Sequence, residues 1–215
     1  MKRTLRDIII MVIFCAAFYG ITSAVNLMGK EQSPVDESSE YSPERQLADE
    51  ALSKRSYLKA AKQFEKLIEA DPHNGHAWFL QAESYNSARI TYLRRVADAR
   101  IRPYRTARIG EWQEEAVKYG KLAIPAYEKA VDFRRFRERS NVRLAAIYSS
   151  MGETETALKH LSTAVDQGYA SRRGIGTDWQ FRSLRDNQEF KDLVEKEKQA
   201  ILRYKRARQS KANEN

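Results

Sequence analysis

Ala60, Phe64 and Leu67 lead through Pro72 into Trp78, Ala82 and Tyr85, a run in which small and large apolar residues recur at spacings of three and four. Such spacing gathers each set on one face of an α-helix. Small residues on that face let a neighbouring helix come close enough for its aromatic ring to fill the gap. The same alternation returns further on, in Ala123, Tyr127 and Ala130, then in Leu144, Ala145 and Tyr148, then after Gly152 in Ala157, Leu161 and Ala164. A chain patterned this way is expected to be all-α, its helices packed on one another through alternating small and aromatic side chains.

The pattern resembles the tetratricopeptide repeat, a unit of roughly 34 residues built as helix, turn and helix. Anchored at Tyr41, one unit sets Leu47, Ala48 and Ala51 on its first helix, and Ala60, Phe64, Leu67 and the closing Pro72 on its second. A second unit starts at Gly75 with Trp78, Ala82 and Tyr85, and its other helix carries Ala123, Tyr127 and Ala130 after a long interval. A third, from Glu138, supplies Leu144, Ala145, Tyr148 and Ala157, with Asn141 where the aromatic anchor would stand. The likeness covers Tyr41 to Tyr169. Beyond it, Trp179, Phe181, Leu184 to Asp186 and Phe190 to Leu193 are similar to the segment that closes many bacterial arrays, with Phe190, Leu193, Val194, Ile201 and Tyr204 as its apolar face. The resemblance implies a short helical solenoid of about three helix pairs that serves as a scaffold for a protein partner. An unrelated antiparallel bundle shares the periodicity and is the alternative architecture.

The middle unit departs from the pattern. No Gly or Pro lies between Ala77 and Ile101, and Tyr85, Tyr92, Leu93 and Val96 extend the stripe, so its first helix is expected to run on. Trp112, Ala116, Tyr119, Ala123, Tyr127 and Ala130 form the returning stripe, with Pro125 expected to kink it. Residues 89–117 are therefore an insertion, either a lengthened helical hairpin or a separately folded piece. Its stretch from Arg89 to Arg108 is crowded with Arg89, Arg94, Arg95, Arg100, Arg102, Arg105 and Arg108, against the single acid Asp98.

Those arginines account for much of a net charge of +9. Arginine grips carboxylates and phosphates with a planar fork of donors, so Arg94, Arg95, Arg100, Arg102, Arg105 and Arg108 are the first candidate partner-binding surface. Arg134, Arg135, Arg137, Arg139 and Arg143 form a second basic run. A groove is the other candidate, lined by Arg45, Asp49 and Glu83 and contacting its partner through His76, Phe79 and Asn86. Some family members clamp a peptide carboxylate with neutral and basic donors; Asp49 and Glu83 stand against that use here.

Around the array, Lys2, Arg3 and Arg6 precede an uncharged stretch from Ile8 to Gly29, long enough to cross a bilayer as a helix. Residues 1–29 are expected to be a signal anchor that leaves the rest of the chain on the extracytoplasmic side, periplasmic in a Gram-negative cell. The alternative is a cleaved signal ending near Ala24 and a secreted product. Residues 30–42 are acidic and rich in Ser, Pro and Glu, a flexible tether. Ser42-Pro43-Glu44 then starts a helix. The repeats are assigned to 43–169, the capping segment to 170–206 and a disordered tail to 207–215. Cys15 is the single cysteine, so no disulfide forms within one chain.

No nucleophile, base and orienting group can be assembled from the sequence, so the chain is not expected to be an enzyme. No cofactor or metal is called. His73 and His76 share a helix connection that offers no obvious further ligands, and Gly174-Ile175-Gly176 lacks the Lys and Ser or Thr of a phosphate loop. Expected partners are a protein, with anionic lipid or an acidic polymer as the alternative, since a tethered basic surface is attracted to an anionic one. Nucleic acid is not expected across the membrane from the genome, although Tyr92, Tyr104 and Trp112 are types that stack on bases.

Overall fold

The computed structural model describes residues 42–101, 108–169 and 174–213. The expected anchor (1–29) and the tether up to residue 41 lie outside the described residues, as do Arg102, Tyr104 and Arg105. No helix among the described residues is long and apolar enough to cross a membrane.

All regular structure among the described residues is helical. In chain order it runs α1 (Pro43–Ser53), α2 (Tyr57–Ala70), α3 (Gly75–Ile101), α4 (Ile109–Val131), α5 (Arg137–Met151) and α6 (Thr154–Asp166). Two 3-10 turns, Ile175–Thr177 and Trp179–Leu184, then lead to α7 (Gln188–Asn213).

Local chemistry fixes these boundaries. The Ser42 side chain accepts a hydrogen bond from the Arg45 amide at 3.1 Å and Pro43 occupies the first turn of α1, which satisfies one end of the helix. Asn74 Oδ1 accepts from the Ala77 amide at 2.9 Å and starts α3 in the same way. The Trp78 indole N–H donates to the Pro72 carbonyl at 3.0 Å, tying the anchor aromatic to the connection before it. At the other end of the array, Gly152 takes the left-handed conformation (φ 84°) that closes α5, and the Glu153 amide donates back to the Tyr148 carbonyl at 3.0 Å.

Packing runs chiefly between consecutive helices, α1 on α2, α2 on α3, and so on to α6, as in repeat proteins whose units bury their faces against neighbours. Three apolar clusters follow one another along this stack. Ala48, Ala51, Ala60, Phe64, Leu67 and Ala77 make the first, with Trp78 packed against its edge. Ala82, Ala123, Tyr127 and Ala130 belong to the second, with Tyr85 against it. Ala145, Ala157, Leu161 and Ala164 belong to the third, together with Phe181, Leu184, Phe190 and Leu193 of the closing segment. Trp78 and Tyr148 each pack against two clusters, so neighbouring units share side chains. The result is a tetratricopeptide-like stack of helix pairs.

Asn141 explains the missing anchor of the third pair. It is buried, its Nδ2 donates to the Arg137 carbonyl at 3.0 Å, and its Oδ1 therefore faces His160 Nδ1 at 2.9 Å. His160 also stacks on Tyr148, with ring centroids 5.5 Å apart and an interplanar angle of 4°. A polar bridge from α5 to α6 replaces the ring that the pattern calls for.

The middle pair is a lengthened hairpin of two continuous helices, not a separate insert. α3 and α4 pack along each other, and α4 continues through Pro125. A Cβ on Gly120 would lie 2.8 Å from Met151 and 3.2 Å from Ile147, so the end of α5 abuts the middle of α4. Beyond that point roughly ten residues of each long helix stand past α5, about 15 Å at 1.5 Å per residue.

Several expectations are corrected. Leu47 is 51 % exposed and Tyr204 61 % exposed, so neither joins the apolar face it was placed on. The tail expected from residue 207 is helical in backbone through Asn213; Arg, Lys, Gln and Ala there are good helix formers, and cations suit a helix C-terminus. Glu197, buried on α7, accepts from the Ile175 amide at 2.7 Å and pins the cap through a polar contact that apolar periodicity does not reveal.

Burial, and secondarily Lys159, holds the His160 pKa below its ordinary value. Its folded form thus resists protonation more than the unfolded chain does, so stability is full above about pH 6.5 and is lost as pH falls through and below that value. Urea midpoints measured from pH 7.5 to 5 should fall for the native protein and fall less for His160→Gln; equal slopes would contradict this role.

Candidate functional site

The α3 stripe Trp78, Ala82, Tyr85, Tyr92 and Val96 has Arg89 in register between its third and fourth members. Arg89 is 1 % exposed. Its Nε donates to Asn86 Oδ1 at 2.9 Å and its Nη1 to Ser150 Oγ at 2.9 Å. Nη2 donates to Gln180 Oε1 at 2.8 Å, and the Ala146 carbonyl lies 3.4 Å from Nη1. The guanidinium thereby joins α3, the end of α5 and the second 3-10 turn through neutral acceptors. Burial draws its pKa down to about 10, which leaves it charged at neutral pH. Arg89 was grouped with the exposed tip arginines; its place on the apolar stripe is the signal that separates it from them.

The expected groove is largely closed. Phe79 is buried, stacked on Phe136 at 4.9 Å and edge-on to Tyr127 at 6.0 Å. Asn86 is 1 % exposed and committed to Arg89. Neither is available as a partner contact, because α3 is covered by α2, by α4 and by Phe136 just ahead of α5. His76 remains half-buried, stacked on Phe136 at 5.6 Å and with Nδ1 3.3 Å from an Arg45 nitrogen. Glu83 is also engaged, accepting from Tyr127 at 2.6 Å and from Arg143 at 2.7 Å. Burial, then Glu83, pushes the Tyr127 phenol well above its ordinary pKa, so it stays protonated and donates. Arg139 and Arg135 lie over the Phe79 and Phe136 rings at 5.7 and 5.6 Å, so this side presents cations where apolar contacts were expected.

The tip arginines separate into two groups. Arg108 is paired with Glu111 at 2.9 Å and lies 5.7 Å from the Trp112 ring. Arg94, Arg95 and Arg100 are exposed on α3. Arg94 and Arg95 border an open cleft of about 860 Å³ between the overhanging part of α3 and the turn joining α1 to α2. That turn contributes Arg55, and the start of α2 contributes Tyr57, Leu58 and Lys59. Arg95 sits 5.0 Å over the Tyr92 ring, which stacks on Tyr119 at 5.6 Å, and Lys118 lies 5.5 Å from Tyr119. Asp98 is the single acid in the cleft wall. Arg55 has φ 55°, the left-handed conformation usually left to Gly at a helix end, at a cost of roughly 1 kcal/mol or more. Sequence reasoning found the α3 arginines but not Arg55 or Lys59, which the long-range packing of α2 on α3 brings to them.

Among the described residues no group of three or more His, Cys, Asp and Glu side chains gathers as a metal site. No protein-family model matches the chain, and no curated protein matches it. Eight chains among solved structures match it, two of them as follows. One, titled "Crystal structure of MamA", shares 15% identity over 76% of this chain and 97% of its own, with a TM-score of 0.30. The other, "Crystal structure of MamA protein", shares 18% identity over 74% of this chain and 92% of its own, with a TM-score of 0.29. The architecture described above rests on the chain's own helix packing and takes nothing from these likenesses.

Truncating Arg89 leaves a cavity and strands the acceptors Asn86, Ser150 and Gln180. Arg89→Met should therefore lose about 2–4 kcal/mol in urea denaturation, and Arg89→Lys should not recover it, because an ammonium cannot span a fork of acceptors. A loss under about 1 kcal/mol for both would contradict the node.

Proposed function

We propose that the chain is a non-enzymatic scaffold that holds a protein partner, tethered to a membrane by residues 1–29 with its helical domain on the extracytoplasmic side. The observation that carries this reading is the basic overhang of α3 and α4. A repeat helix needs only enough length to cover its neighbour, yet this hairpin runs past α5 and places Arg94, Arg95 and Arg100 on exposed positions. Length and charge beyond what packing requires are suited to contact with another molecule. The stacked helix pairs supply a rigid support for that contact. The charged flank and the uncharged run from Ile8 to Gly29 support the tether.

Mild crosslinking in intact membranes, followed by affinity capture and mass spectrometry, tests the reading. The native chain should capture a defined protein, and the combined variant Arg94→Glu, Arg95→Glu, Arg100→Glu and Arg102→Glu should lose it by roughly tenfold or more, as charge reversal places like charges against an acidic partner. Capture of the same proteins by both chains, or of none by either, would remove the hairpin as a protein interface. Retention of the native chain by anionic vesicles alone would favour a lipid or polymer role instead.

A further inference from the structure

Resting on that scaffold reading, we infer that the cleft between the α1–α2 turn and the overhang of α3 is the docking site, and that its occupant is an extended acidic segment of a protein carrying an apolar residue. Arg55 approaches from the turn, Lys59 from the first turn of α2, and Arg94 and Arg95 from α3, so four cations from separate parts of the chain line one concavity against Asp98. No single helix face produces that arrangement. It needs α2 to pack on α3 and α3 to run on past it.

Three features select the ligand chemistry. The cations line a recess, not a flat face, which suits a chain lying between two walls better than a bilayer surface. Leu58, at the rim, is 44 % exposed and gives an apolar contact beside the charges. Tyr92 and Tyr119 are already stacked on each other and flanked by Arg95 and Lys118, so their faces are engaged and a nucleobase is not the favoured guest. Carboxylates spaced along a peptide match arginines offered from both sides. Arg55 adds an independent sign. It holds a left-handed conformation that Gly would adopt without strain, and strained residues of this kind collect at binding sites.

The strain supplies the test. Arg55→Gly removes a cation while relieving the backbone, so weaker binding cannot be ascribed to unfolding if the thermal midpoint holds or rises. With the full chain and a fluorescent synthetic peptide of Glu, Asp and Leu, Arg55→Gly combined with Arg95→Gln should weaken binding by roughly tenfold. Leu58→Gln should weaken it at high salt, where screening leaves the apolar contact dominant. Arg134→Gln combined with Arg135→Gln removes the same charge elsewhere and should change affinity by less than about twofold. Equal loss in both double variants, binding only to phosphatidylglycerol vesicles, or no peptide binding by the native chain would each overturn the cleft. The capture experiment separates this from the scaffold reading: if Arg55→Gly with Arg95→Gln still captures the native chain's partner, the cleft fails and the scaffold stands. If the native chain captures no protein, the scaffold reading itself fails.

Discussion

A guanidinium buried among neutral acceptors is the constraint on which the rest of the architecture turns. Arg89 lies near the middle of α3, and its donors reach Asn86 on its own helix, Ser150 at the end of α5 and Gln180 in the closing segment. A buried charge is costly unless its donors are satisfied, so these elements must come together for it to be accommodated. The node marks the level at which α5 ends and the long hairpin goes on alone. Gly120 on α4 permits it, since a side chain there would meet Met151, Ile147 and Arg89 itself.

Above this level the hairpin is held by contacts between its own two helices. Tyr92 from α3 stacks on Tyr119 from α4, and Val96, Ala99 and Ala116 are buried beside them. The outer surface of this arm is where charge is free to accumulate, because among the described residues no further helix pair covers it. On one side it meets the turn between α1 and α2, and the recess formed there draws cations from both elements. Stability and recognition are thus divided along one helix: Arg89 is enclosed and structural, while Arg94 and Arg95, about a turn and a half further on, face outward.

The periodic part of the fold was legible because small and aromatic residues at helical spacing have few other uses. Ala60, Phe64, Ala82, Tyr127, Ala145 and Ala157 are all fully buried, and the absence of Gly and Pro after Ala77 was enough to read α3 as one long helix. What was not legible depends on which second neighbour a helix acquires. Phe79 and Asn86 lie off the main stripe and looked accessible, until Phe136 and Arg89 enclosed them. Asn141 looked like a defect in the pattern and is half of a polar bridge to His160, nineteen positions away. Arg55 and Lys59 carry no periodic signal that would relate them to Arg94 and Arg95; only the packing of α2 on α3 does so.

Hydrogen exchange across α3 in the native protein tests the account most directly. If the helix is one continuous element locked at its centre, amides from Ala82 to Val96 should all be protected, the slowest near Asn86 and Arg89, with fraying confined to the last turn before Ile101. Exchange at unfolded rates from Ile90 onward would contradict it, for α3 would then end at the level of its neighbours and neither the arm nor the cleft beside it would exist.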